Sequence, residues 1–194
     1  MAAPDILRIT MQVAQTLEAV GASYRIGGSL ASSAFGIART TLDADLVTDL
    51  KQEQAGPFVK HLQDEFYVNP EAVQEAIRRY SSFNLIHLAS MFKVDLFVLQ
   101  PDLFHKEAFR RGIRRTVDEA KKVEAIFITP EDIILQKLDW YWQGGEVSER
   151  QWQDVLGVLK VQSDRLDRQY LERWAKELGV TSLLAKALIE AGMK

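Results

Sequence analysis

Apolar residues recur every three to four positions at the start of the chain, which predicts an amphipathic helix over residues 5–20 that ends at Gly21. The apolar positions of this helix are Ile6, Ile9, Val13, Leu17 and Val20. Comparable patterns predict helices over residues 29–36, 51–65, 70–79 and 102–111.

Short apolar or alternating runs predict strands between these helices. The first two are "SYRIG" and "DADLV", and the second alternates polar and apolar residues as a strand with one buried face does. "SFNLIHLA" and "FKVDLFVLQ" follow each other closely, which predicts an antiparallel hairpin. "IRRTV" and "EAIFI" predict two further strands.

From residue 130 onward the pattern is entirely helical. Thr129 is a good N-cap residue, Pro130 fits the first helical position, and Asp132 can complete a capping box. The predicted helices span residues 130–143, 148–161, 167–178 and 180–191. The sequence therefore predicts an α/β (α+β) protein, in which a mixed-sheet core over 1–129 precedes a C-terminal helical bundle over 130–194.

Composition narrows the class of protein. The 194 residues are 47% apolar and 26% charged, as in ordinary globular proteins. The absence of cysteine excludes disulfides, zinc–thiolate sites and thiol nucleophiles. No stretch approaches the roughly 20 apolar residues that a membrane helix needs, and charges interrupt the N-terminal apolar run, unlike in a signal peptide. We expect a cytoplasmic protein with no membrane partner.

The net charge of −3 and a pI of about 5.7 disfavour a protein that holds long nucleic acids. One basic cluster stands out, with glutamate and aspartate interspersed. Its members are Lys106, Arg110, Arg111, Arg114, Arg115, Lys121 and Lys122. Both a solvated face and a phosphate-contacting patch are consistent with this pattern, and the solvated face is the default interpretation.

Three aspartates form the most informative pattern in the chain. Asp43 and Asp45 lie on the same side of their strand because strand side chains alternate. Asp95 interrupts a nearly continuous apolar run, which predicts a central strand covered on both faces. Acids that converge from neighbouring strands repel each other unless a divalent cation lies among them. Mg²⁺ is the natural candidate, and two ions about 4 Å apart can serve phosphoryl-transfer chemistry.

A phosphate-holding turn precedes the aspartates. Glycines such as Gly27 and Gly28 let backbone N–H groups approach a phosphate closely, and the following helix starts with a positive dipole end. Ser29 can add its hydroxyl to such a site or simply cap the helix. A Gly-Gly turn alone is usually only a turn, and an Asp-x-Asp alone is usually a solvated strand end; their combination is more specific.

That combination resembles the DNA polymerase β-like nucleotidyltransferase superfamily. Its pattern is Gly-Ser, an Asp-x-Asp with apolar flanks, and a third acid on a later strand. "IGGSLASSAFGIARTTLDADLV" is most similar to the AbiEii group of toxin-type nucleotidyltransferases, which carry Gly-Gly-Ser and then Arg-x-Thr-x-Asp-h-Asp, where h is apolar. Here Arg39, Thr41, Asp43 and Asp45 occupy those positions.

The resemblance implies a role for each acid. Asp43, Asp45 and Asp95 would hold two metal ions, with Mg²⁺ expected and Mn²⁺ as the alternative. Asp95 would also be the base for the incoming hydroxyl.

The resemblance also implies how the nucleotide is held. Gly27, Gly28 and Ser29 would hold its β and γ phosphates. Arg39 would contact the triphosphate or, with equal weight, pair with Asp43 when metal is absent.

The helical tail matches the family's downstream signature in part. Lys137, Arg150 and Asp154 match it, whereas Gln151 replaces an expected aspartate. Lys137 falls within the apolar stripe of its helix, which favours a lysine that contacts nucleotide phosphate over one that extends to solvent. Asp154 fits either a nucleotide site or a solvated position.

By this resemblance the chain is an enzyme that moves a nucleoside monophosphate from an NTP such as ATP to an acceptor hydroxyl and releases pyrophosphate. The acceptor would be tRNA, a protein or a small molecule, and a toxin role would imply a cognate antitoxin. The alternative is a catalytically inactive nucleotide-binding or protein-interaction module of a toxin–antitoxin-like pair.

Overall fold

The structure is a computed structural model that describes residues 6–118 and 122–193. In chain order the elements are α1 Ile6–Ala19, β1 Tyr24–Ile26, α2 Gly28–Phe35, β2 Asp43–Thr48, α3 Gln52–Leu62, β3 Phe66–Tyr67, α4 Pro70–Arg79, β4 Ser82–His87, β5 Lys93–Val98, α5 Leu103–Arg111, β6 Ile113–Asp118, β7 Val123–Phe127, α6 Pro130–Gln143, α7 Glu149–Gln162, a 3₁₀ turn Ser163–Arg165, α8 Arg168–Glu177 and α9 Thr181–Glu190. The mixture of strands and helices confirms the predicted fold class.

The chain divides into two compact units. The first, the sheet unit, comprises the described parts of residues 1–27 and 41–127, and the second, the helical unit, comprises residues 28–40 and the described part of 128–194. Residues 28–40, which the sequence pattern assigns to the first domain, thus belong to the helical unit. The predicted domain boundary between residues 129 and 130 itself stays a prediction.

Within the described residues of the sheet unit, seven strands form one mixed sheet in the order β3-β4-β5-β2-β1-β7-β6. Strand β2 pairs with β5 in parallel and with β1 in antiparallel orientation, and β4 and β5 form the predicted antiparallel hairpin. The short strand β3 was not predicted; the helix expected over 51–65 ends at Leu62, and β3 then pairs with β4.

One face of the central strands forms the core of the sheet unit. Ala44 and Leu46 on β2 and Val94 and Leu96 on β5 are fully buried, and α1 and α4 pack on strands of this sheet. The alternate residues of β2 and β5 are only partly buried or exposed. The expectation that β5 is covered on both faces is therefore wrong, because its polar positions share one partly open face.

The helical unit is built around the packed pair α6 and α7, on which α2, α8 and α9 pack. Its core includes Ile134 and Leu138 from α6 and Val155 and Leu159 from α7, all fully buried. The predicted N-cap of α6 is confirmed, since the Thr129 side chain accepts a hydrogen bond from the backbone N–H of Asp132.

The helix packing of α2 depends on close backbone approach. A Cβ on Gly36, at the end of α2, would lie 2.8 Å from the backbone nitrogen of Val158 in α7. Only glycine fits there without a shift of one backbone. No helix in the described ranges is long and apolar enough to cross a membrane.

Candidate functional site

The sheet unit brings the three predicted aspartates to one face of two adjacent strands. Strands β2 and β5 run parallel in a register that places Asp43 beside Lys93 and Asp45 beside Asp95. Because residues side by side in parallel strands point to the same side of the sheet, all four side chains share one face. We call Asp43, Asp45, Asp95 and Lys93 the acid face.

Lys93 is the residue of this face that the sequence pattern did not single out. Its Nζ lies 2.7 Å from Oδ2 of Asp95, and the two side chains are 45% and 19% exposed. The hydrogen bond to Asp95 raises the pKa of Lys93, and the charges of Asp95, Asp43 and Asp45 act in the same direction against partial burial. The signal available in the sequence was the spacing, since Lys93 precedes Asp95 by two positions on a strand.

Two further contacts fix the Asp-x-Asp segment. The Thr41 hydroxyl donates a hydrogen bond to Oδ1 of Asp43 over 2.8 Å, and Thr41 is itself buried. The backbone N–H of Gly27 donates to the carbonyl oxygen of Asp45 over 2.8 Å. The motif threonine thus orients the first aspartate, and the first glycine of the turn is tied to the strand that carries both aspartates.

The acid face fits a hard divalent cation in the chemistry of its donors, because three carboxylates on neighbouring positions supply the oxygen ligands that Mg²⁺ takes. Their present arrangement is not that of a preformed site. Among residues 6–118 and 122–193, no three Asp, Glu, His or Cys side chains are placed so as to hold a metal ion. One oxygen of Asp95 is directed at the Lys93 ammonium instead.

The helical unit contains the rest of the Gly-Gly-Ser turn. Gly28 has a φ of +50°, in the left-handed region that glycine tolerates best. Helix α2 begins at this residue, so Ser29 lies within the first turn and does not cap the helix from outside. The Ser29 side chain is buried and accepts a hydrogen bond from Nη2 of Arg39 over 2.7 Å.

Arg39, Lys137 and Asp154 form a buried charge cluster, which we call the Asp154 cluster. Nε and Nη2 of Arg39 donate to Oδ1 and Oδ2 of Asp154 over 2.7 and 2.8 Å, a bidentate pairing. Nζ of Lys137 lies 2.9 Å from the same Oδ2. The Lys137 and Asp154 side chains are only 6% and 5% exposed, and that of Arg39 is 25% exposed.

This arrangement keeps Asp154 ionised. Burial acts to raise the pKa of Asp154, but the hydrogen bonds from Arg39 and Lys137 and their positive charges outweigh burial, so its pKa lies below the ordinary value. Two cations around one carboxylate leave the cluster with one net positive charge. A cluster of this kind can attract an anion such as phosphate.

The geometry decides several alternatives that the sequence left open. Asp154 is not solvated, and Lys137 does not extend to solvent, because both are buried and paired. Arg39 pairs with Asp154 and Ser29, a combination that neither sequence alternative included. Gln151, which replaces the family aspartate, has a buried Oε1 without a hydrogen-bond partner among the described residues.

The basic cluster is partly neutralised where the structure describes it. Arg110 pairs with Glu107, and Arg114 with Glu124. Lys121 lies outside the described residues. These ion pairs favour the solvated face over the phosphate-contacting patch.

No protein-family model matches the sequence, and no curated protein is significantly similar to it. Solved structures are similar in fold. The crystal structure of an antigenic nucleotidyltransferase-like protein from Paracoccidioides brasiliensis has a TM-score of 0.55 at 19% identity, covering 99% of this chain and 95% of that one. The crystal structure of ANT(2″)-Ia in complex with adenylyl-2″-tobramycin has a TM-score of 0.58 at 11% identity, covering 89% of this chain and 96% of that one. The chain therefore has a nucleotidyltransferase-like fold, as the resemblance implied.

Proposed function

We propose that this protein is a Mg²⁺-dependent nucleotidyltransferase that transfers a nucleoside monophosphate from an NTP to an acceptor hydroxyl. The observation that carries the proposal is the register of β2 and β5, which aligns Asp43, Asp45 and Asp95 on one face within a nucleotidyltransferase-like fold. Such a register is expected if the three carboxylates act together, and it has no evident use for folding, because like charges on one face repel.

The acids have distinct roles in this proposal. Asp43, Asp45 and Asp95 would hold the metal, with Asp43 kept in position by the Thr41 hydroxyl. Bound Mg²⁺ would supply the positive charge that offsets the carboxylates and the phosphate oxygens. Asp95 orients the acceptor hydroxyl and takes its proton, while a bond forms between the acceptor oxygen and the α-phosphorus and the bond to the β-phosphate oxygen breaks. Pyrophosphate leaves with that oxygen.

The β and γ phosphates are held by groups of the Gly-Gly-Ser turn and the Asp154 cluster. Gly28 and Ser29 offer backbone N–H groups at the start of a helix, a common anion-binding arrangement, and Gly27 anchors the turn through its bond to Asp45. Arg39 and Lys137 carry the positive charge, and Asp154 holds both cations in place before the nucleotide arrives. Preorganised cations of this kind lose little conformational freedom on binding.

The first experiment is a transfer assay with purified protein, Mg²⁺ and each α-³²P-labelled NTP, with total cellular RNA present or absent. ATP is the first nucleotide to test, because the similar ANT(2″)-Ia structure contains an adenylyl product. We expect label to move to an acceptor with wild-type protein and with Asp64→Asn, an exposed control aspartate. We expect the transfer to be lost in Asp45→Asn. Equal transfer by Asp45→Asn would contradict the assigned role of the acids.

The destination of the label identifies the acceptor. Label in tRNA would support the AbiEii-type resemblance, and growth arrest on expression that a neighbouring gene product relieves would support a toxin with an antitoxin. Label in the protein itself or in another protein would identify a protein acceptor. A small-molecule acceptor is tested by adding aminoglycosides, the class to which tobramycin belongs.

A catalytically inactive binding module is favoured by one observation. The Lys93–Asp95 ion pair compensates part of the acid face without metal, so intact acids do not by themselves require an active site. This alternative predicts that the protein binds nucleotide without transferring it to any acceptor. Nucleotide binding measured by calorimetry, together with a negative transfer assay over all acceptor classes, would establish it.

A further inference from the structure

Lys93 lies next to the carboxylates of the acid face, whereas most surface lysines extend into solvent. It lies two residues before Asp95 on β5, so the two side chains leave the strand on the same side. The parallel register places it directly beside Asp43, while Asp45 stands beside Asp95. The ammonium group therefore pairs with Asp95 and lies on the same face as Asp43 and Asp45 of the neighbouring strand.

The net charge of the acid face matches the charge of one divalent cation. Three carboxylates and one ammonium sum to two negative charges, which one divalent cation neutralises. Without Lys93 the same face would carry three negative charges. The ammonium thus acts on the electrostatics of this face as a partial substitute for a metal ion.

The ammonium and a metal ion also compete for the same atom. Nζ of Lys93 lies 2.7 Å from Oδ2 of Asp95, a hydrogen-bonding distance that leaves no room for a second cation on that lone pair. The Lys93 side chain is 45% exposed and long, so its ammonium can move to solvent. Partly exposed ion pairs are weak, so a metal ion can displace this one.

We propose that Lys93 is a built-in counter-ion that holds Asp95 while the acid face is free of metal and must release it before Asp95 can serve as a ligand or base. This inference rests on the proposed metal site. Lys93 is therefore a positioning residue. It lowers the affinity of the acid face for the divalent ion and so raises the ion concentration at which the face is occupied. It also gives the protein a stable metal-free state, in which the acids do not repel each other fully.

The test measures Mn²⁺ binding to the full-length protein by electron paramagnetic resonance and by calorimetry, without nucleotide and with a non-hydrolysable ATP analogue. Lys93→Met removes the charge and retains most of the stem, and Lys93→Arg retains the charge. Lys60→Met, on an exposed position of α3 in the same unit, is the matched control. A variant with Asp43→Asn and Asp45→Asn shows whether the bound ion is at the acid face.

We expect Lys93→Met to bind Mn²⁺ at least tenfold more tightly than wild type, a difference of about 1.4 kcal/mol, because a positive charge a few ångströms from the ion is gone. Lys93→Arg and Lys60→Met should remain within about threefold of wild type by the same reasoning. In EDTA, Lys93→Met should melt below wild type, and saturating Mn²⁺ should close that gap. A purely structural lysine would lower stability without tightening metal binding.

Two results would overturn the inference, and they have different consequences. If wild type binds Mn²⁺ at the acid face and Lys93→Met binds it equally or more weakly, the counter-ion role is wrong and the proposed function stands. If neither protein binds Mn²⁺ under any condition, the metal-dependent function is overturned as well. Binding by Lys93→Met alone would support the counter-ion role directly.

Discussion

The Asp154 cluster allows a sharp prediction, because one carboxylate compensates two cations in the core of the helical unit. The change is Asp154→Asn, which keeps the size of the side chain and removes its charge. Lys137, with a side chain only 6% exposed, then lacks a counter-charge. Arg39 loses a bidentate partner as well, although its side chain is 25% exposed.

The magnitude follows from burial. Removing one partner of a buried ion pair costs about 3–5 kcal/mol, because the other charge stays buried without compensation. We expect the lower end, about 3 kcal/mol, because Arg39 is partly open to water and can regain hydration. At about 2–4 °C of melting temperature per kcal/mol for a protein of this size, the melting temperature should fall by about 6–12 °C.

Tryptophan fluorescence is the appropriate assay, because it follows the unit in which the change is made. All the tryptophans lie in the helical unit, at Trp140, Trp142, Trp152 and Trp174. Glu75→Gln is the matched control. Glu75 also pairs with two arginines, Arg78 and Arg79 on α4, but in an exposed position, so this change should leave the melting temperature unaltered.

A double-mutant cycle with Lys137→Met isolates the interaction. Lys137→Met alone should cost about 1.5–3 kcal/mol, since Asp154 keeps its bidentate bonds to Arg39. The double variant with Asp154→Asn should be more stable than the sum of the two single changes by at least about 1 kcal/mol, because no buried lysine is left unpaired. Additive single changes, or an Asp154→Asn protein as stable as wild type, would refute the reasoning.

Three further outcomes are expected. Gly28→Ala should lower stability by about 1–2 kcal/mol and weaken ATP binding in calorimetry, because the residue has a φ of +50°; unchanged values for both would contradict its role. Gly36→Ala should cost about 1–3 kcal/mol in urea unfolding, because its Cβ would approach the Val158 nitrogen to 2.8 Å; a neutral effect would mean that the helices can separate at no cost. The stabilisation from Asp154 should be complete above its unfolded pKa, about 3.9, and decline as the pH falls through its lowered folded-state pKa, so wild type and Asp154→Asn should converge in acid. Parallel stability curves down to strongly acidic pH would show that the pKa of Asp154 is not lowered in the folded protein.

The elements that could be predicted from the sequence are those with strong local signals. The helix over 130–143 was predicted with its exact bounds, because Thr129 and Pro130 mark its start and the apolar spacing continues for four turns. The hairpin of β4 and β5 followed from two apolar runs close together. By contrast, β3 has only two residues, which are too few to show a periodic pattern. It forms by pairing with β4 at the end of the sheet.

The residues of the candidate site could be predicted from the sequence, whereas the pairs that these residues form could not. Alternation along β2 is local, so the shared side of Asp43 and Asp45 could be read directly. The partner of Asp95 depended on the register between two strands far apart in sequence, and so did the place of Lys93. Likewise, the contact of Arg39 with Asp154 joins a loop to a helix more than a hundred residues later, which no spacing rule specifies.

These pairings change how the clustered charges are interpreted. From the sequence, three acids on one face predict a cation among them, with a metal ion as the main candidate and Arg39 as a metal-free partner for Asp43. In the structure Lys93 provides a cation from the chain itself, just as Arg39 and Lys137 provide two for Asp154. The charge of Asp154 is therefore compensated within the helical unit, and that of the acid face is compensated in part within the sheet unit. The measurement that identifies the function of the acid face is its affinity for a metal ion with and without Lys93. If the lysine and the ion compete for Asp95, the site binds the ion more tightly once the lysine is removed.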